Sequence, residues 1–317
     1  MPLTQAQRQQ TAWLAIYTGV AEGLLAVAEG NNGVLPTLTG TPLEVGWRTL
    51  WQFRADDDPS VIQWLQGLFG VTKRTWFYGL LLKCTLDLPD AGFEQGDLLA
   101  IVRGTCTIQE WLVNFNAFSS GARTTLHPEG GLVHDGFYSI YKNMVVFDAA
   151  DRNLGAAAPA LAGLLRPGGP RLTVAGHSLG SALSTYLAYD IVNEINGDAT
   201  RLAHFDICLI ASPNPGDATF AKGFQAAVPS YEVVDWVRDL VPKVPPPPIY
   251  TPLPDGGGAV PLQDFTQLTP VDVSWMPADA NDPACNHHAA CYARMLDPLN
   301  TVAVAQTVLL NCGGASG

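Results

Sequence analysis

The sequence predicts an α/β fold in which a mostly parallel central sheet carries helices on both faces. One reason is the alternation of elements, with apolar strand-like runs at 171–175, 205–211 and 231–237 and helical periodicity at 180–195 and 218–227. The other is the composition, because 317 residues with 47% apolar and 15% charged side chains supply enough material for a large core.

The segments before this alternating region extend the sheet. Near-continuous apolar runs at 76–86 and 97–103 indicate buried strands, and the turn residues between them allow the two to pair as a hairpin. Residues 1–75 are predicted to be helical with loops, in a role that the sequence leaves open. We expect a single domain over residues 1–317.

Three further stretches complete the predicted layout. The Ala- and Leu-rich residues 136–165 indicate one long helix. The Pro- and Gly-rich residues 242–283 indicate a long surface loop, and residues 286–296 a short helix. This short helical segment carries two of the six histidines of the chain.

Charge and apolar patterning exclude several classes of protein. With 17 Lys and Arg against 29 Asp and Glu, the net charge is −12, which argues against a nucleic-acid partner. The most apolar window, residues 11–28, contains Glu22, so no transmembrane helix is predicted. Residues 1–10 show no secretory leader, which predicts a cytoplasmic protein or one exported by a non-standard route. Six cysteines leave the disulfide pairing open.

Residues 176–180 (GHSLG) match the G-x-S-x-G pattern of a nucleophile elbow, a tight turn from a strand into a helix. A predicted strand precedes the pattern and a predicted helix follows it, as the motif requires. The turn strains the backbone of Ser178 and lifts its hydroxyl clear of the sheet, while the flanking glycines avoid collisions. The N–H of Leu179, at the start of the helix, can donate to an oxyanion. The motif therefore predicts nucleophilic catalysis by Ser178.

A serine nucleophile needs a histidine base and a carboxylate that orients this base, and in folds with such an elbow both follow the serine in the chain. The downstream histidines are His204, His287 and His288. His204 precedes a strand at the end away from the elbow, so His287 and His288 remain. Asp239 directly follows a predicted strand, where ligand sites of such sheets lie, and is the first choice for the acid. Asp217, in the turn after the preceding strand, is the second choice.

A competing interpretation makes this histidine segment a zinc site. Its four candidate ligands are Cys285, His287, His288 and Cys291. Their spacing matches no common zinc pattern, and the cysteines bracket the histidines instead of forming a separate pair. We therefore predict serine chemistry that requires no metal and no cofactor.

Four stretches of the chain share their residues with one known family: Val102-Arg103-Gly104-Thr105, Val133-His134-Asp135-Gly136-Phe137, the elbow, and Asp239-Leu240-Val241-Pro242-Lys243-Val244-Pro245-Pro246. Through them the chain resembles, from about Gln95 to Leu296, the fungal-type, class 3 triacylglycerol lipase family. The resemblance implies an α/β-hydrolase fold for the whole chain.

The resemblance also implies roles for individual residues. Asp239 matches the catalytic acid of the family, and Thr105 matches the residue that helps Leu179 form the oxyanion hole. The tyrosine spacing common outside the fungal members favours His287 as the base, whereas the tighter fungal spacing favours the alternative, His288.

A lid is the last feature that the resemblance implies. Residues 107–118 (TIQEWLVNFNAF) resemble the lid helix, whose apolar positions would be Ile108, Trp111, Leu112 and Phe115. Periodicity alone fits an ordinary helix packed on the core equally well.

The implied function is a triacylglycerol lipase that forms an acyl-enzyme on Ser178 and meets its lipid or ester substrate at an oil–water interface. The alternatives are an esterase for short-chain or aromatic, feruloyl-type esters, and a catalytically silent relative that binds lipid or protein. Acyl-chain preference and oligomeric state are open.

Overall fold

The computed structural model describes residues 3–31, 34–55, 76–104, 121–123, 130–244, 249–252, 259–263, 265–268, 271–273 and 285–298. Within these ranges the strands are β1 (Trp47–Ala55), β2 (Trp76–Cys84), β3 (Leu98–Val102), β4 (Gly121–Arg123), β5 (Leu132–His134), β6 (Met144–Asp148), β7 (Asn153–Ala156), β8 (Leu172–His177), β9 (Phe205–Ile210), β10 (Gly216–Asp217), β11 (Glu232–Trp236), β12 (Ile249–Pro252), β13 (Ala259–Gln263), β14 (Phe265–Thr266) and β15 (Val271–Val273). The helices are α1 (Gln5–Gly30), α2 (Asp135–Lys142), α3 (Ala157–Ala162), α4 (Leu179–Glu194), α5 (Ala199–Leu202), α6 (Ala218–Ala227) and α7 (Ala289–Leu296). Short 3₁₀ turns occupy Pro89–Ala91, Val241–Lys243 and Cys285–His287.

The central sheet has two halves of different character. Its strand order is β15-β11-β9-β8-β3-β2-β1-β6-β7. From β3 to β15 every neighbouring pair is parallel, whereas from β3 to β7 every pair is antiparallel. The parallel half and the pairing of β2 with β3 agree with the predicted layout. Because β3, β8 and β11 run in the same direction, the chain leaves all three at one edge of the sheet.

Helices cover both faces of this sheet, and β3 shows how one strand serves both. Its residues Leu98, Ala100 and Val102 enter the core packed by α4, whereas Leu99 and Ile101 enter the core packed by α1 and α7. This alternation follows from the two-residue period of a strand, and it explains why the whole of β3 is apolar.

Helix α1 fills the second face of the sheet. The Thr4 hydroxyl and the Gln7 side chain form a reciprocal capping box at its start. Residues Gln5–Glu29 are long and apolar enough to cross a membrane by length and composition, but 83% of their most apolar window is buried inside the fold. The helix packs on β2 and on α7, so its apolar character is used in the core.

The N-terminal part of the chain differs from the predicted helical arrangement. Within the described portion of residues 1–75, Trp47–Ala55 is not helical but forms β1, which pairs with β2 on one side and β6 on the other. Strand formation here depends on these partners, which lie later in the chain, so local helix propensity did not decide the structure.

Two further predictions from the local sequence are wrong. Residues 136–165 do not form one helix, because β6 and β7 form an antiparallel hairpin between α2 and α3. The β-branched and aromatic residues of β6 favour the strand, and β1 provides its partner. Residues 242–283 are not only loop, since β12 pairs with β13, β14 pairs with β10, and β15 adds a parallel strand beside β11.

Candidate active site

Ser178 lies in a strained turn between β8 and α4. Its backbone has φ +58° and ψ −130°, a conformation that L-residues seldom adopt. The two glycines of the motif allow the helix to approach the sheet: a Cβ atom at Gly176 would collide with the carbonyl oxygen of Gly180, and one at Gly180 with that of Val102. The local structure is therefore that of a nucleophile elbow.

Replacing Gly180 by alanine is expected to destabilise the protein by about 3 kcal/mol or more, because the new methyl group meets backbone that cannot move aside. Gly163→Ala is the matched control, since its Cβ would make only ordinary contacts, at 3.4 Å and beyond, in a right-handed helical conformation. We expect this control to change the free energy of unfolding by less than about 1 kcal/mol. Urea denaturation of both variants measures the difference; equal stabilities would contradict this account of the elbow.

Asp239 and His287 form a buried pair. Asp239 follows β11, and its Oδ2 lies 2.7 Å from Nδ1 of His287. The side chains are almost fully buried, with relative exposures of 1% and 2% for the two residues. Because the carboxylate accepts a hydrogen bond from Nδ1, the lone pair of the neutral imidazole is on Nε2.

Neighbouring groups hold Asp239 in place. The N–H of Val241 donates to Oδ1 over 2.9 Å, and the hydroxyl of Tyr292 donates to Oδ2 over 2.9 Å. The N–H of Trp236 in turn donates to the Tyr292 hydroxyl over 2.8 Å. Both oxygens therefore accept hydrogen bonds, which fix the orientation of the carboxylate.

His287 lies beside the elbow with one ring nitrogen unused. Its ring centroid is 4.8 Å from that of His177, the residue before Ser178. Among the described residues, neither Nε2 of His287 nor Oγ of Ser178 has a hydrogen-bond partner, although both atoms are buried. Burial lowers the pKa of His287 below its ordinary value, and Asp239 offsets only part of this effect. The imidazole is thus neutral near pH 7, as a base that receives a proton must be.

The structure separates the remaining candidates from this pair. Asp217 caps α6, where its Oδ1 accepts the N–H of Phe220 over 2.8 Å. His288 precedes α7 and is partly exposed, and it is His287 that contacts Asp239. His204 lies just before β9, at the opposite end of that strand from the elbow. The geometry therefore brings together Ser178, His287 and Asp239.

Two of the four candidate zinc ligands are engaged in other interactions. Cys291 is in a disulfide bond, and Nδ1 of His287 is engaged by Asp239. Across the described portion of the chain, no three His, Cys, Asp or Glu side chains are grouped so that they could hold a metal ion. The disulfide pairing that the sequence left open is thereby narrowed, since Cys291 is bonded whereas Cys84 and Cys208 are buried free thiols.

The predicted oxyanion hole is described in part. Leu179 is the first residue of α4, where a backbone N–H has no acceptor within the helix. Gly104, just after β3, passes close to the nucleophile, since a Cβ atom there would lie 2.9 Å from Cβ of Ser178. Thr105 and the lid stretch 107–118 lie outside the described residues, including the four apolar lid positions Ile108, Trp111, Leu112 and Phe115.

One contributor to the site was missed by the sequence analysis. Glu22 of α1 places Oε1 2.8 Å from Nδ1 of His177 and accepts the N–H of Gly104 over 2.9 Å. The only indication of this role in the sequence was a single acidic residue within the apolar stretch 11–28. The N-terminal helix, whose role the sequence left open, thus reaches the elbow.

Comparison with known proteins finds a matching family and curated relatives that are phospholipases A1. Residues 99–248 match the family described as Lipase (class 3). Phospholipase A(1) DAD1, chloroplastic, of Arabidopsis thaliana is 26% identical over 212 residues, which cover 63% of this chain and 45% of that protein. Phospholipase A1-II 6 of Oryza sativa subsp. japonica is 28% identical over 181 residues, covering 52% and 44%. The chain therefore spans less than half the length of these curated relatives.

Solved structures agree in fold. M37 lipase superposes with a TM-score of 0.57 at 16% identity, over 99% of this chain and 97% of that one. Lipase II from Rhizopus niveus superposes with a TM-score of 0.50 at 19% identity, over 77% of each chain. The central sheet, its helices and the elbow are accordingly those of an α/β-hydrolase fold, as predicted.

Proposed function

We propose that the chain, whose residues 99–248 match the class 3 lipase family, is a serine hydrolase of carboxylic esters. One observation carries the proposal: Asp239 and His287 form a buried hydrogen-bonded pair beside Ser178, which is held in a strained elbow. A protein that only binds lipid has no need for this arrangement, since the strain and the burial of these polar side chains both cost stability.

In the proposed reaction, Oγ of Ser178 attacks the ester carbonyl while Nε2 of His287 takes its proton. Asp239 stabilises the imidazolium that forms. The same proton then passes to the leaving alcohol, and an acyl group stays on Ser178. Water, deprotonated by His287, releases the acid and restores the serine. The developing oxyanion would receive hydrogen bonds from Leu179 N–H and, by family resemblance, from Thr105.

The proposed substrates are acylglycerol esters, with triacylglycerol as the first candidate. Two large apolar side chains beside Asp239 support contact with lipid, because Val237 and Leu240 are 43% and 56% exposed. Phospholipid is a second candidate, favoured by the two plant relatives that are phospholipases A1. Both candidates present an acyl ester to the same nucleophile.

A substrate panel separates the candidates. Initial rates would be measured on p-nitrophenyl esters of short, medium and long acyl chains, on emulsified triacylglycerol, and on phosphatidylcholine vesicles, with Ser178→Ala as the blank. We expect hydrolysis of a long-chain lipid ester by the parent protein, none by the variant, and stoichiometric labelling of the parent by a fluorophosphonate.

The other outcomes of the panel refute specific parts of the proposal. Activity restricted to short or aromatic esters would replace the lipase with a soluble-ester esterase. A parent protein that hydrolyses nothing and resists the fluorophosphonate would be a silent binding relative.

A further inference from the structure

Glu22 and His177 form a second buried pair below the elbow. Their residues are 6% and 3% exposed, and they lie on α1 and at the end of β8. Nδ1 of His177 is 2.8 Å from Oε1 of Glu22, and Nε2 is 2.6 Å from the backbone oxygen of His287. A carboxylate and a carbonyl both accept hydrogen bonds, so the His177 ring donates from both nitrogens. An imidazole that donates twice carries a positive charge.

The surrounding groups favour this ion pair over two neutral groups. Burial acts to raise the pKa of Glu22, but the charge and hydrogen bond of His177, with the Gly104 N–H, outweigh it and lower the pKa. Burial likewise acts to lower the pKa of His177, but Glu22 and the carbonyl of His287 outweigh it and raise the pKa. The other groups facing His177 are the rings of His287 and Tyr292, at 4.8 and 6.4 Å, and the charge of Asp239.

The contact with His287 matters because of how that residue is held. His287 is the last residue of the 3₁₀ turn Cys285–His287 and lies outside any α-helix or β-strand. Its side chain is fixed by Asp239, and its main chain by His177. The same Glu22 oxygen also binds the N–H of Gly104, next to the residue predicted to stabilise the oxyanion.

We propose that Glu22 and His177 are positioning residues for the hydrolytic site: the His177 imidazolium fixes the main chain of His287, and Glu22 fixes both that imidazolium and the chain after β3. This inference rests on the proposed function, in which His287 is the base. Neither residue contacts the substrate. An error of about 1 Å in the placement of a reacting group can cost about 100-fold in rate, so small shifts at these contacts have large effects.

The first test reads the ionisation of His177 without using activity. Protein with ¹⁵N-labelled histidine rings is titrated by NMR, and His177 is assigned by the loss of its signals in His177→Gln or by their shift in Glu22→Gln. We expect a ring that stays protonated on both nitrogens above the ordinary histidine pKa of about 6.5. In Glu22→Gln its titration midpoint should fall by at least about one pH unit. A His177 ring with one proton at neutral pH would overturn the proposal.

The second test separates positioning from stability. In Glu22→Gln we expect kcat on a p-nitrophenyl ester to fall by about 10- to 100-fold with KM changed less than about twofold, in protein that remains folded by circular dichroism. Thr18→Val is the matched control: it removes a buried hydrogen bond one turn earlier on α1, where the Thr18 hydroxyl donates to the Leu14 carbonyl. Its kcat should stay within about twofold even if its melting temperature falls.

The outcomes distinguish this inference from the proposed function. Equal kcat values for the Glu22→Gln, Thr18→Val and parent proteins would refute the positioning role while leaving the ester hydrolase intact. A parent protein without hydrolase activity would refute the proposed function instead, and the NMR titration would still decide whether Glu22 and His177 form the ion pair.

Discussion

Replacement of His287 by alanine is expected to lower kcat by about 10⁵- to 10⁶-fold, the loss typical of removing the base from a serine triad. His288→Ala, one residue away, should keep kcat within about threefold, because it is His287 that contacts Asp239 and whose ring lies against that of His177. Initial rates on one p-nitrophenyl ester measure both variants. Equal losses would contradict the assignment of the base to His287.

The pH dependence of the parent protein gives a second measure of the same base. The proposed reaction needs neutral His287, so we expect kcat/KM to rise with pH as the imidazolium loses its proton. Burial holds the pKa of His287 below its ordinary value, which places the midpoint of this rise below about pH 6.5. A midpoint above pH 7 would show that the charge of Asp239 outweighs burial.

Asp239→Asn is expected to lower kcat by about 10⁴-fold while the protein stays folded. The amide can donate a hydrogen bond to Nδ1 of His287, which would place the ring proton on Nε2 and remove the lone pair that takes the Ser178 proton in the proposed reaction. Asp217→Asn is the matched control, because asparagine preserves the N-terminal cap of α6. This control should retain activity within about threefold.

The two asparagine variants also decide between the acids that the sequence offered. Circular dichroism and urea denaturation would confirm that each variant is folded before rates are compared. Activity lost in Asp217→Asn and kept in Asp239→Asn would contradict the pairing seen between Asp239 and His287.

Much of this site could be predicted because its signals are local. The elbow is a five-residue motif whose glycines leave the space that the tight turn requires. The structure has Ser178 at the predicted turn, with φ +58°. The parallel half of the sheet follows from strands and helices that alternate along the chain. Asp239 could be proposed because the carboxyl ends of parallel strands share one edge of the sheet.

The parts that could not be predicted depend on partners distant in sequence. Strand β1 exists because β2 and β6 flank it, and the hairpin of β6 and β7 interrupts a stretch with helical composition. The residues alone did not separate His287 from His288, since both share one short segment. Glu22 was noticed only as a break in an apolar run, and its role depends on contacts with His177 and Gly104, far along the chain.

The late position of His287 in the chain has a consequence for biosynthesis. A chain emerges from the ribosome with its N-terminus first. Glu22 and the elbow therefore emerge well before His287, which follows His177 by 110 residues. In the proposed mechanism, Ser178 lacks its base until that late segment docks. A nascent chain with the sheet already folded would then be an inactive precursor, and docking of residues 285–296 would be the step that completes the site.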